Sequence, residues 1–489
     1  MKETGVLKKI YGFLLVAAYF MMVVGFCIRG EAWYDSFYFA FQSFFVEYNG
    51  ADKENVFLYI GRVVCPLLTA AGVFVILRHG LKSIRDAVVS NLKNSTAVYY
   101  NTDRMKDLGK AFVHPVLMEN KVNKKTDTHV LLLDKDVDCL TYYDKIKDKI
   151  KAGSKVYVCL EEIDSKLLNI SDLFYFNTNE IIARIYWKER NLKEYLKEGK
   201  MDIKIAIIGF DSLGQKLLDY GLQNNIYSLK QSIQYHIWGD STLYSSLLGK
   251  FDAMNGDTIT YHDKDWRADI ASFKEFDRII IAQPVDVELL QALLYLNVDA
   301  EVDYYNPDGT DFSRLYKGKQ LTQYGVLKNI LKEDTIKTDA LYREAKKINY
   351  NYLVKTNEKY TWERLDVEEV MEEKWKELDG FTKGSNVACA DYHQIRLLVM
   401  DSMNLDIETI SDEDMEMLAE MEHIRWSRYH YVNHWTYAAA EEMPTDENGV
   451  RMVKDAKRRK HSSLIPYKDL TRFVKDKDKN NVLELFGKV

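Results

Sequence analysis

The amino-acid pattern predicts an α-helical two-span membrane module, then two α/β units, then an all-α C-terminal domain. Three observations carry that expectation. Two long stretches with at most one charge each lie within the first 77 residues. From about residue 96 to residue 305, short apolar runs alternate with helical segments at the spacing of βαβ units. From about residue 335 the chain turns helical and charged. At 489 residues the chain exceeds what one core holds, and the expected boundaries are 1–90, 91–200, 201–330 and 331–489.

Bulk composition narrows the function classes. Net charge is −7, with 29% charged and 13% aromatic residues, so no nucleic-acid partner is expected. The five cysteines, Cys27, Cys65, Cys139, Cys159 and Cys389, form no C-x-x-C pair. That argues against a disulfide framework or a zinc site and fits a reducing cytosol for the main body. Only six prolines occur, and no long Gly/Ser/Pro tract, so little of the chain reads as disordered.

The first membrane segment is IYGFLLVAAYFMMVVGFCI, residues 10–28, nineteen residues without a charge. At about 1.5 Å per residue it spans a hydrocarbon core of roughly 30 Å. A signal peptide is the alternative, since Lys8 and Lys9 resemble its basic start. Against that, no small-residue cleavage site follows, and a second apolar stretch, residues 56–77, comes soon after. The second stretch carries Arg62 and Pro66; the arginine either snorkels to the outer interface or lines a water-filled space, and its position favours snorkelling or pairing with a loop carboxylate. Lys2, Lys8 and Lys9 precede the first span, and Arg78, Lys82 and Arg85 follow the second. Both termini are therefore expected to be cytoplasmic, in the cell inner membrane, with the bilayer as partner.

Between the spans, AWYDSFYFAFQSFFV (32–46) is apolar and aromatic but too short to cross. It suggests a re-entrant or interfacial helix. Helix, dip, helix is the layout of a two-span pore subunit, and Gln42 and Glu47 are then the candidate pore residues. The chain continues VEYNGADKEN, with no T-V-G-Y-G carbonyl filter, so potassium selectivity of that type is not expected. An extracytoplasmic helix lying on the membrane without a pore is the competing reading.

A basic linker helix, LRHGLKSIRDAV, leads into the first α/β unit. Its expected strands are TAVYY (96–100), HVLLLD (129–134), KVYVCL (155–160) and LFYFN (173–177), with helices between them. Its first turn has no glycine loop. The second unit starts at IKIAIIGF (203–210) and continues through SIQYHIWGD (232–240), TITYH (258–262), RIIIAQ (278–283) and AEVDYY (300–305). Both units read as Rossmann-like, the second more strongly.

Residues 205–216, IAIIGFDSLGQK, set the main question. A dinucleotide fingerprint is G-x-G-x-x-G, and here Gly209 and Gly214 flank Asp211 at the middle glycine's place. Asp240 ends the second strand, where an acidic residue would hold a ribose. Gly209, Asp211, Gly214 and Asp240 are the candidate cofactor-binding residues. Asp211 is expected to cap the following helix with its carboxylate, taking the N–H groups that a phosphate would use.

Two membrane helices with a dip, followed by tandem Rossmann-like units, resemble ion channels carrying TrkA-N (RCK-type) regulatory domains. IIGFDSLGQKLL looks like the start of such a domain, departing at Asp211, and the first unit resembles a degenerate copy. The likeness covers roughly residues 8–310. In that family the cytosolic domains form a ring that pulls on the pore helices. The resemblance thus implies a homotetramer or other closed homo-oligomer.

Three C-terminal stretches stand out. WKELDGFTKGSNVACADYHQIRLLV (375–399) holds Ser385, Asn386, Asp391 and His393. LAEMEHIRWSRYHYVNHWTY (418–437) holds Glu422, His423, Arg425, Trp426 and Trp435. HSSLIPYKDL (461–470), with Tyr467, leads to Lys477 and Asp478. Glu422 and Arg425 share one helix side with Trp426 on a neighbouring face, so indole, guanidinium and carboxylate can hold a flat polar ligand. The competing reading has both tryptophans in the core and Glu422, His423 and Arg425 pairing with each other. His423 and His430 sit at i, i+7, which is not a ligand-pair spacing, and no metal is expected. EMEHIRWSRYHYVNHWTY, HSSLIPYKDL and the Lys477-Asp478 pair resemble the RyR domain, a small helical module named after ryanodine receptors. The match covers roughly residues 335–486 and departs at Asn349, where histidine is usual. These twelve residues are the candidate ligand-binding set. The resemblance implies a nucleotide-derived signal, in conflict or antiviral systems.

The leading expectation is therefore a ligand-gated membrane effector or ion channel, gated by a nucleotide-like signal at the RyR-like domain. The alternative is a housekeeping cation transport or channel subunit regulated by dinucleotide or ATP at Gly209–Gly214. An enzyme is not expected, since no nucleophile–base pair or substrate domain accompanies the second unit.

Overall fold

The computed structural model describes residues 2–45, 47, 54–92, 94–112, 114–119, 121–168, 173–248, 251–284, 286–312, 321–336, 342–356, 367–484 and 486. Contacts divide the chain into two compact units, 1–92 and 93–489.

The first unit holds α1 (Lys2–Arg29), α2 (Trp33–Gln42) with a 3-10 turn at Ser43–Phe45, and α3 (Val56–Val89). Ile10–Arg29 and Val56–Phe74 are each long and apolar enough to cross a membrane. Small residues let the long helices approach. A Cβ at Gly61 would strike the Met22 side chain, and one at Gly25 would press on Leu58. Asn55 caps α3 by accepting from the N–H groups of Phe57 and Leu58, and its Nδ2 donates to the Gly25 carbonyl at 2.8 Å. The basic linker is no separate element, because α3 runs unbroken to Val89. α2 buries Ser36 and Ala40 and leaves Trp33, Tyr34, Tyr38 and Phe41 exposed. Arg62 takes the pairing option, meeting Glu54 at 3.5 Å. Gln42 donates to the Tyr38 hydroxyl at 3.2 Å, and Glu47 is exposed. The side chains of Lys2, Lys8, Lys9, Arg78 and Lys82 lie outside the described residues.

The second unit begins with β1 (Thr96–Tyr99), α4 (Asp103–Gly109), β2 (Pro115–Met118), β3 (Thr128–Leu131), α5 (Asp136–Ile146), β4 (Lys155–Cys159), β5 (Leu173–Phe176), α6 (Thr178–Glu189) and α7 (Lys193–Lys197). These strands form a parallel sheet ordered β2-β1-β3-β4-β5. Then come β6 (Asp202–Ile208), α8 (Ser212–Asn224), β7 (Ser232–Trp238), α9 (Thr242–Leu248), β8 (Thr258–His262), β9 (Arg278–Ile281), α10 (Val287–Leu296), β10 (Glu301–Tyr305) and β11 (Leu321–Tyr324). This second sheet is also parallel, ordered β11-β10-β9-β6-β7-β8. Counted from β6, its order is 3-2-1-4-5-6, that of a doubly wound dinucleotide-type sheet. Both faces are covered, which explains the unbroken apolar run of β6. Ile205 and Ile207 join the core that includes Trp187 and Leu217, while Ala206 and Ile208 join Leu289 and Leu293. β2 and β11 are strands that the pattern did not announce, being four residues each, with LTQY half polar.

The chain continues through α11 (Leu327–Ile330), α12 (Glu333–Ile336), α13 (Arg343–Thr356), α14 (Val367–Glu377), α15 (Gly380–Ser402), α16 (Asp412–Val432), β12 (Thr436–Tyr437), β13 (Lys454–Asp455), β14 (Lys460–His461) and α17 (Arg472–Glu484). The all-α expectation needs correction, since β12, β14 and β13 form a small three-stranded sheet. Two-residue strands carry no readable alternation, so their pattern is silent. Helices α15 and α16 pack on the earlier elements. Arg428 of α16 donates to the carbonyls of Leu222, Ala253 and Met254 and to Asp257, and Tyr392 of α15 donates to the Ile226 carbonyl.

Candidate functional site

The register of the second sheet brings three strand ends to one edge. Ile208 lies between Trp238 and Ile281, so the turns after β6, β7 and β9 emerge together. The Gly209 N–H donates to the Trp238 carbonyl at 2.8 Å, and the Ala282 N–H to the Ile208 carbonyl at 2.8 Å. This edge is where strand order reverses, the place where open parallel sheets leave a crevice.

Two of the three fingerprint positions keep their physical roles. Gly209 sits at φ +91, and a Cβ there would lie 3.0 Å from the Gln283 backbone nitrogen. A Cβ at Gly214 would overlap the Gly209 carbonyl oxygen, so helix α8 seats against the turn only with glycine there. Asp211 departs from expectation. It occupies the N-cap of α8 with extended backbone, φ −71 and ψ −168, but its side chain makes no capping hydrogen bond and is exposed. Beside it, the Ser212 hydroxyl donates to the Glu161 carbonyl at 3.0 Å and accepts from Asn179 Nδ2 at 3.2 Å.

A cleft of about 530 Å³ opens at this edge. Its walls are the turns after β6 (Gly209), β7 (Gly239–Thr242), β8 (Asp263–Arg267) and β9 (Gln283, Asp286). Asp240 is exposed, and its Oδ1 accepts from the Thr242 N–H at 3.0 Å, which holds its carboxyl below the ordinary range. His262 stacks on Trp238 with centroids 4.0 Å apart and planes at 4°. Its Nε2 lies 3.0 Å from His236 Nδ1. Burial pushes both imidazoles below their usual value and each stays neutral at pH 7. Arg267 lies over the Trp266 ring at 4.4 Å and is held by Asp265 and Glu288. Asp286 caps α10 by accepting from the Leu289 N–H at 3.2 Å. Among the described residues, no ion pair engages Lys264.

The C-terminal candidates are placed differently. Glu422 is fully buried between two arginines, accepting from Arg396 at 2.5 Å and from Arg425 at 2.8 Å, with Cys389 Sγ at 3.8 Å. Burial pushes its carboxyl up, yet Arg425 and Arg396 hold it below its ordinary value. His423 stacks on Trp426, meets Asp478 at 3.2 Å and hydrogen-bonds the Ile465 carbonyl at 2.9 Å. Trp435 packs on Phe381 and His430. Tyr467 donates to Glu416 at 2.6 Å, and Lys477 lies over the Phe473 ring. Asp391 is spent in a clamp with buried Arg184 at 2.6 Å, Asn386 donates to the Thr382 carbonyl, and Ser385 is half-buried. His393 abuts Phe486. Glu422 and Arg425 are thus packed together as an ion pair, His423 meets Asp478 from α17 and stacks on Trp426, while Asp391 serves another contact. Within this cluster Arg396 Nε and Nη1 and Arg425 Nη1 are buried with no hydrogen-bond partner among the described residues. Asn349 is also buried.

Sequence reasoning missed Arg396, Cys389, His262, Lys264 and Gln283. For His262 and Gln283 a signal existed, since each stands at the carboxyl end of an expected strand. Arg396 gave none, because an arginine on a polar-looking helix reads as solvated.

Comparison with known proteins adds little. No family model matches the chain. No curated protein matches it either. Among solved structures, a D-isomer specific 2-hydroxyacid dehydrogenase from Lactobacillus delbrueckii ssp. bulgaricus, in its NAD-complexed form, is similar at 10% identity. That alignment covers 63% of this chain and 96% of the other, at a TM-score of 0.20, and carries no argument.

Proposed function

We propose that this chain is a ligand-responsive membrane effector whose ligand, of the nucleotide class, seats in the carboxyl-edge cleft of the second sheet. One observation carries the reading. Gly209 and Gly214 keep their fingerprint roles in the turn after β6, and Gly209 and Asp240 line a crevice of about 530 Å³ at the strand-order reversal. Two helices of spanning length supply the output element, with both termini cytoplasmic and a closed homo-oligomer in the inner membrane. Ligand and output are linked by population shift. A ligand that binds one state about 5.5 kcal/mol more tightly moves an effector from nearly all closed to nearly all open.

A second reading puts the signal at the RyR-like helices, in keeping with a role in conflict or antiviral systems. The unpartnered N–H groups of Arg396 and Arg425 beside Glu422 favour it.

The test reconstitutes the full chain in liposomes and records ion flux while nucleosides and nucleotides are titrated. Flux or binding that Asp240→Ala abolishes, with Arg425→Lys retaining it, supports the cleft. The reverse pattern moves the ligand to the helices. Binding without flux for every ligand removes the channel output.

A further inference from the structure

We infer that Arg396 and Arg425 hold a small monovalent anion of halide size beside Glu422, where α15 packs on α16. The inference goes beyond the cleft reading and does not rest on it.

Two guanidiniums share one carboxylate. Arg396 donates to Glu422 from α15 at 2.5 Å, and Arg425 donates to it within α16 at 2.8 Å. Both grip the same group, so they stand about a carboxylate's width apart. A guanidinium carries five N–H donors and no acceptor. Arg396 Nε and Nη1 and Arg425 Nη1 are buried with no acceptor among the described residues. The near neighbours supply none. Tyr392 gives Arg396 its ring face at 5.2 Å and spends its hydroxyl on the Ile226 carbonyl. Cys389 Sγ donates to Glu422.

The charges point the same way. Glu422 is one negative charge between two positive ones. The next carboxylate, Asp478, meets His423 at 3.2 Å. Burial, with Arg396 and Lys347 adding to it, pushes His393 down to about 4, and its buried Nδ1 has no partner among the described residues. A buried cation without a counter-charge is costly. Ordered water satisfies donors but brings no charge. An anion does both. Burial limits its size, because Arg396 and Arg425 are each 1% exposed and Glu422 is 0% exposed. Held by donors from both helices, the ion ties α15 to α16.

Melting curves of the detergent-solubilised full chain test this, with sodium gluconate exchanged stepwise for sodium chloride or bromide at constant ionic strength. We expect a saturable rise with either halide, about 3 °C once the halide exceeds its dissociation constant a hundredfold. Arg396→Met and Arg425→Lys should each remove the rise, while Arg458→Ala, in an exposed pair with Asp455, should keep it. Equilibrium dialysis of the parent with radiolabelled chloride should count one bound ion per chain that bromide displaces, so a variant that fails to fold does not decide the result. No bound ion in the parent, or an equal rise in both buried-arginine variants, overturns the inference and gives the donors to water. A rise with sodium phosphate and none with halide also overturns it, by giving the donors to a larger anion.

Discussion

At the scale of single residues, burial decides which charges matter. Glu422, a candidate ligand contact whose competing reading was pairing with its neighbours, is the anion between two buried guanidiniums. The spacing of Glu422 and Arg425 showed their adjacency but not the third partner, because Arg396 is 26 residues earlier on another helix. Buried histidines give a pH signature. Burial pushes His393 and His461 down to about 4, with Lys454 and Lys477 adding to the effect at His461. His430 is also pushed well below its ordinary value by burial. The unfolded chain takes up these protons near 6.5 and the folded one refuses them until about 4, so stability falls as pH drops through that window. Melting temperature is expected to decline between about pH 6.5 and about pH 4.5, and His461→Gln to flatten the decline. A flat profile for the parent would mean that these imidazoles are solvated.

At the scale of elements, the β6–α8 junction shows how sequence and structure share the work. The strand, both glycines and the helix start were legible, since a strand–turn–helix is a local pattern. The side-chain direction of Asp211 was not, because an N-cap bond is worth only about 1 kcal/mol and neighbours tip the balance. Gly214 is the sharpest test of the junction. Gly214→Ala would push a methyl into the Gly209 carbonyl and should cost about 1–3 kcal/mol, read as a lowered denaturant midpoint. An unchanged midpoint would show that α8 is free to slide away from the turn.

For the unit from residue 93 onward, the question is whether the helical domain moves independently of the sheets. Arg428 argues against it, reaching three carbonyls and Asp257 from α16, and the Arg184–Asp391 clamp joins α6 to α15. Arg428→Ala leaves Asp257 buried without its cation, at a cost of about 3–5 kcal/mol. Limited proteolysis should then release the C-terminal helices from the variant, while the parent stays whole. Equal cleavage of both would mean that this contact is not what holds the helices down.

By itself the sequence determined the two spanning-length helices, both parallel-sheet units and the glycine turn, because hydrophobic period and turn chemistry act over a few neighbouring residues. Strand order, the cleft and the distant partners of the buried charges were decided only by tertiary structure. These depend on residues brought together across dozens or hundreds of positions, such as Asp257 and Arg428. Burial then fixes which polar groups must pair, and no local pattern carries that information.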